Sequence, residues 1–141
     1  MSLYLCVFRS DDADDEVDGV DVGGYQDYHD FRRFVSAELE HGRSGSRFPT
    51  LMDQPDCDTE WTAAQCVDLR AELATIRAEL ELLDAPGYVE GSWQAAVAEE
   101  PDLAPRSRAE WFIDIDGESL LARVSRLAEL AVELGRPISF M

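Results

Sequence analysis

The chain has 141 residues, 45% of them apolar, and its 30 acidic residues against 12 basic ones give a formal charge of −18. That length and apolar content fit a single domain, residues 1–141, with a real core, and exclude wholesale disorder. All twelve basic residues are arginine, and so large a negative field repels nucleic acid and anionic membrane while attracting basic proteins or cations.

Residues 2–8, Ser-Leu-Tyr-Leu-Cys-Val-Phe, form an almost continuous apolar run. It predicts a strand covered on both faces and central in a small sheet. Cys6 within it reads as a small buried hydrophobe, because nothing nearby would lower its pKa. No charged region followed by a long apolar stretch marks a signal peptide, and no window reaches the ~18 apolar residues of a membrane span.

Residues 11–30 carry nine carboxylates and no basic residue: Asp11, Asp12, Asp14, Asp15, Glu16, Asp18, Asp21, Asp27 and Asp30. Asp14-x-Glu16-x-Asp18-Gly19 begins like a calcium loop, but its twelfth position, where a bidentate glutamate belongs, is Tyr25. What remains is a loop of concentrated negative charge, followed by a short strand at residues 19–22.

Gly23-Gly24 leads into a predicted helix over residues 25–40, with Tyr25, Tyr28, Phe31, Val35 and Leu39 on one face. His29 is expected on its exposed side, and His41 at its end, where an imidazolium can meet free carbonyls. Neither histidine has a partner at zinc-ligand spacing. Residues 41–60 are the longest irregular stretch, a length often functional, with Phe48 and Leu51 expected to pin it to the core. Its Gly42-x-x-Gly45 lacks the lysine of a phosphate-binding loop, and Cys57 between Asp56 and Asp58 should have a raised pKa. The odd count of cysteines, with Cys6, Cys57 and Cys66 far apart, is most simply read as reduced thiols in the cytoplasm.

Thr62-Ala-Ala-Gln65 is a capping-box pattern that opens a long helix to about Leu83, with Cys66, Leu69, Leu73, Ile76, Leu80 and Leu83 as its stripe. Residues 84–87 turn the chain, Ser92 can cap a short helix through Glu99, and residues 101–108 form a loop. Residues 111–115, aromatic and β-branched, predict a strand. Asp116 or Ser119 then caps a helix whose stripe is Leu120, Val124, Leu127, Ala131 and Leu134, widened by Leu121, Ala128 and Leu130. Gly135 stops it, and residues 137–140 fit a closing strand.

Asp114 and Asp116 lie two apart, so on a strand their carboxylates would share a face and could hold a divalent metal. No third ligand is identifiable, and capping already employs Asp116. No nucleophile motif, cysteine–histidine pairing or glycine-rich nucleotide motif is present, so the residues assign neither catalytic residues nor a cofactor.

Three stretches belong together: Leu3-Tyr-Leu-Cys-Val-Phe8 with the acidic loop and Gly-Val-Asp-Val-Gly; Arg47-Phe-Pro-Thr-Leu51 through Cys57-Asp-Thr-Glu-Trp61; and Phe112-Ile-Asp-Ile-Asp-Gly-Glu through Gly135-Arg-Pro-Ile-Ser-Phe140. In that order they resemble small bacterial immunity proteins of polymorphic toxin systems. The resemblance covers most of the chain, is most specific at the C-terminus, and is thin over residues 84–110. It implies a cytoplasmic, non-enzymatic protein that binds and neutralises a cognate toxin domain.

The expected fold is α+β: a small sheet in which the N- and C-terminal strands pair, packed against three main helices. The charge suggests a basic toxin such as a nuclease, met by Asp11, Asp12, Asp14, Asp15, Glu16, Asp18 and Asp21 with help from Asp53, Asp56 and Asp58. The expected oligomeric state is a monomer or weak dimer. The competing readings are an acidic module or nucleic-acid mimic for another basic protein, and, weakest, a small metal-dependent enzyme using Asp114 and Asp116.

Overall fold

The computed structural model describes residues 2–98 and 104–141. Among them β1 (Ser2–Phe8), β2 (Glu16–Gly24), β3 (Glu60–Trp61) and β4 (Ile138–Phe140) form one sheet in the order β2-β1-β4-β3, every neighbouring pair antiparallel. The N-terminal strand is therefore central and pairs with the C-terminal one, Leu5 opposite Phe140 and Val7 opposite Ile138. Alternation sends Leu3, Leu5 and Val7 into the core, all fully buried. On the other face Cys6 is also fully buried, between half-buried Tyr4 and Phe8. Tyr4 lies over Gly19 of β2, where an added Cβ would meet its hydroxyl at 2.0 Å.

Three long helices complete the core: α1 (Tyr25–Leu39), α3 (Ala63–Leu80) and α6 (Leu120–Leu134). Helix α1 buries Tyr28, Phe31, Val35 and Leu39, and α3 buries Cys66, Leu69, Leu73, Ile76 and Leu80, as their periodicities require. Each fully buried aliphatic side chain stabilises the fold by about 1.5–3 kcal/mol. The capping box at the start of α3 forms in both directions, Gln65 N–H to Thr62 Oγ1 at 3.1 Å and Thr62 N–H to Gln65 Oε1 at 2.9 Å. Helix α6 ends at Gly135 in the left-handed conformation, φ 63°.

Several elements depart from the expectation. β2 begins at Glu16, so Glu16 and Asp18 stand on a strand rather than in a loop, and the short strand expected at residues 19–22, with Asp21 in it, is part of this longer one. The long irregular stretch contains a single helical turn, α2 (Pro49–Met52), and ends in β3, which the sequence did not suggest. Phe48 and Leu51 do pin it, at 2% and 1% exposure. Helix α3 stops at Leu80, three residues early. Ser92 caps α4 (Trp93–Val97), while Glu99 and the start of the expected 101–108 loop lie outside the described residues.

The strand expected over residues 111–115 does not form. Trp111 closes a helical turn, α5 (Arg108–Trp111), and Ile113 makes only an isolated bridge to Ser119. The Asp114 carboxylate bends the chain back by accepting the Asp116 and Glu118 N–H groups, both at 2.9 Å. Ser119, not Asp116, therefore caps α6, through the Ala122 N–H at 3.3 Å. Leu134, the last residue of that helix, is 38% exposed, beyond the end of the packed stripe.

Candidate partner-binding surface

The β1–β2 connection is a short, internally bonded acidic tip. Arg9 N–H reaches Asp15 O at 2.8 Å and Asp15 N–H reaches Asp12 O at 3.0 Å, closing residues 9–15. Asp12 turns its side chain onto the Asp14 N–H at 2.9 Å, and the Ser10 hydroxyl donates to Asp15 at 2.6 Å. From the far end of the chain Arg136 binds Phe8 O through Nε at 3.1 Å and Asp11 through Nη2 at 3.0 Å. Asp11, Asp12, Asp14 and Asp15 are all exposed, so the tip presents four carboxylates on a hydrogen-bonded backbone, and exposed Glu16 follows them as the first residue of β2.

Asp18 and Asp21, half-buried, are employed within the fold. Arg123 of α6 grips Asp18 at 3.1 Å and also donates to Gly19 O at 2.9 Å, tying β2 to the helix layer. Asp21 accepts the Gly23 N–H at 2.9 Å. Glu16 accepts the Tyr4 hydroxyl at 3.0 Å; burial first, then this carboxylate, pushes the Tyr4 phenol up to about 12.

Asp53, Asp56 and Asp58 do not join the tip. Glu60 of β3 stands opposite Ser139, itself opposite Cys6, and the strand then runs toward the level of Val7. Residues 53–58 therefore lie toward the Ser2 end of the sheet, at its β3 edge, whereas the tip projects past Phe8 beside β2. Asp53 and Asp58 are exposed and Asp56 is half-buried, so the 53–58 stretch is a second acidic segment apart from the tip.

The Asp114–Asp116 pair is likewise not a shared face. Asp114 is 1% exposed, its Oδ1 holding two backbone N–H groups and its Oδ2 lying 3.7 Å from Arg123 Nε, while Asp116 points from an exposed turn. Among the described residues no three His, Cys, Asp or Glu side chains are grouped to hold a metal. Burial raises the Cys6 and Cys66 thiols to about 11, helped at Cys6 by Glu16, and exposed Cys57 is also raised, by local desolvation and its flanking aspartates. None of these thiols is set up as a thiolate nucleophile. No described helix is long and apolar enough to cross a membrane.

Two carboxylates that the sequence reading passed over organise the 41–60 stretch. Glu40, 2% exposed, accepts the N–H groups of Gly45, Arg47 and Phe48 at 3.2, 2.9 and 3.0 Å. Glu72 on α3 accepts those of Thr50 and Leu51 at 3.1 and 3.0 Å, satisfying the free N-terminus of α2. The one sequence signal was Glu72 itself, a charge placed among Leu69, Leu73 and Ile76 of the buried stripe.

A family model described as Immunity protein 70 matches residues 3–140. No curated protein and no solved structure matches the chain.

Proposed function

The chain belongs to the Immunity protein 70 family, and from that premise we propose that it is a non-catalytic cytoplasmic protein that binds and neutralises the toxin domain of a polymorphic toxin system. The observation that carries the choice of surface is the acidic tip. Its four exposed aspartates, Asp11, Asp12, Asp14 and Asp15, stand on a turn closed by its own backbone hydrogen bonds, with Glu16 at the start of β2 beside them, which lowers the entropic cost of association. A net charge of −18 steers a basic domain toward the chain, and in this reading the acidic tip meets a cationic cleft such as a nuclease's phosphate site. Block is then steric and electrostatic. The second acidic segment, with Asp53, Asp56 and Asp58, would add to the steering field from the other end of the sheet without sharing that contact. The chain acts as a monomer or weak dimer in this reading.

That second segment favours one alternative: an acidic module or nucleic-acid mimic that uses carboxylates from several faces toward a different basic protein. Co-expression with the protein encoded immediately upstream separates the two. Cell survival and a co-purifying complex support immunity, and no rescue with no complex removes it. Within a complex, Asp11→Lys, Asp12→Lys, Asp14→Lys and Asp15→Lys combined should slow association severely and flatten its salt dependence; unchanged kinetics would remove the tip from the interface.

A further inference from the structure

The outer side of α1 carries a groove whose charge opposes that of the whole molecule. His29, Arg32, Arg33 and Ser36 of the helix face Ser44 of the following loop and Met52 of α2 around about 400 Å³. No carboxylate lines it, in a chain whose acids outnumber its bases 30 to 12. His29, Arg32 and Arg33 are spaced to share one side of the helix. Arg33 is exposed and makes no ion pair among the described residues. Arg32 is fixed, with Nη1 on the carbonyls of Leu51, Met52 and Gln54 at 3.5, 3.4 and 2.6 Å and its guanidinium 4.7 Å over the Tyr28 ring, which leaves only its Nε and Nη2 N–H groups without a hydrogen-bond partner among the described residues. Ser36 is 8% exposed, and neither its hydroxyl nor that of Ser44 has a hydrogen-bond partner among the described residues. The groove thus collects donors and cations and offers no side-chain carboxylate as acceptor.

We propose that this groove binds an oxyanion: the phosphate of a small phosphorylated molecule, or the carboxylate of a partner's side chain. A forked guanidinium flanked by hydroxyls and an imidazole is the donor set that such groups require. A second groove, between α3 and α6, supplies the contrast. It encloses about 570 Å³ and carries Arg70, Arg77 and Arg126, but Glu81 and Glu129 also line it, and Arg77 is paired with Glu81 at 3.5 Å.

The test titrates the full chain with sodium phosphate and, separately, sodium acetate against sodium chloride at constant ionic strength, reading binding heat and backbone amide shifts. The expected result is saturation by at least one oxyanion, with shifts confined to residues 29–36 and 42–52. Arg33→Gln should weaken it at least about tenfold, the effect of losing a charge-assisted hydrogen bond. Arg70→Gln, which changes net charge equally, should leave it within about twofold. The anion that binds more tightly identifies the source, phosphate for a phosphorylated small molecule and acetate for a protein carboxylate. No saturation beyond the chloride control, or equal weakening by the two arginine variants, overturns the proposal.

Discussion

Removing the Glu40 carboxylate tests whether one buried charge holds the 41–60 loop in place. In Glu40→Ala three N–H groups lose their acceptor, those of Gly45, Arg47 and Phe48. The Phe48 bond is buried, and an orphaned buried donor costs about 1–3 kcal/mol. The other two are partly buried, so water can replace the lost acceptor, at about 0.5–1.5 kcal/mol each. The sum, about 2–6 kcal/mol, should appear as about 3–4 because neighbouring losses share one relaxation. That is a large fraction of the ~5–15 kcal/mol typical of a domain. Glu40→Gln keeps one acceptor oxygen but turns a donor toward the remaining N–H groups, so it should recover only about half of the loss. Urea unfolding gives the free energy, and native-state hydrogen exchange at Gly45, Arg47 and Phe48 locates it. A cost below about 1 kcal/mol for the alanine variant, the ordinary effect of a point substitution, would refute the reasoning. So would exchange at those three amides that matches the unaltered chain.

Arg123→Met should cost about 1.5–3 kcal/mol by urea unfolding, since it removes the grip on Asp18 and Gly19 O, and a loss under about 0.5 would show that β2 does not depend on this contact. The thiols should divide in two: Cys57 reacts with a thiol reagent in the native protein, whereas Cys6 and Cys66 react only on unfolding, and a native protein in which all three react at one rate would contradict their burial. The same two buried thiols set an alkaline limit. Their folded pKa, about 11, lies above the ordinary value of 9.0, so the stability they contribute is complete below pH 9 and is lost as pH rises toward 11. A Cys6→Ala, Cys66→Ala double variant should lose less stability across that interval, measured by urea unfolding at each pH.

The elements legible in the sequence were those whose signal is local. β1, α1, α3, α6 and β4 follow from apolar runs, helical stripes, the Thr62–Gln65 box and the Gly135 stop, and each forms, α3 ending three residues before its expected stop. Where the reading failed, a distant partner decides the conformation. β3 is two residues that exist as a strand because β4 offers an edge, Glu60 to Ser139 and Trp61 to Ile138. The start of β2 was hidden by its carboxylates, which look like loop until Arg123, more than a hundred residues on, neutralises Asp18. Trp-Phe-Ile at residues 111–113 has strand composition, yet the Asp114 turn and the aromatic contacts of Trp111 with Tyr88 and Phe112 hold it otherwise. Of the candidate surface, the 11–15 tip was legible as exposed acid. Its separation from residues 53–58 was not, because strand order fixes that distance and one sequence does not print strand order.

The same partition changes what the charge means. A count of −18 treats every carboxylate as surface available to a partner, but the fold has already engaged many of them. Glu40 and Glu72 hold a loop, Asp114 holds a turn, Asp18 and Asp21 hold β2, and Asp27 both accepts the Gly24 N–H at 2.7 Å and receives Trp93 and Gln94 of α4. Neutralising any of these would damage the fold and so mimic a loss of binding. Asp12 and Asp14 are different: exposed, outside any ion pair among the described residues, and raised on a turn whose backbone closure does not need the Asp14 side chain. Asp14→Asn therefore removes a tip charge with the least structural consequence of any change at the tip. If charge at the tip drives toxin capture, this single variant should lower the association rate and leave the unfolding free energy within about 0.5 kcal/mol. A variant that unfolds more easily but associates normally would assign the acidic tip to folding and turn the search for the interface elsewhere.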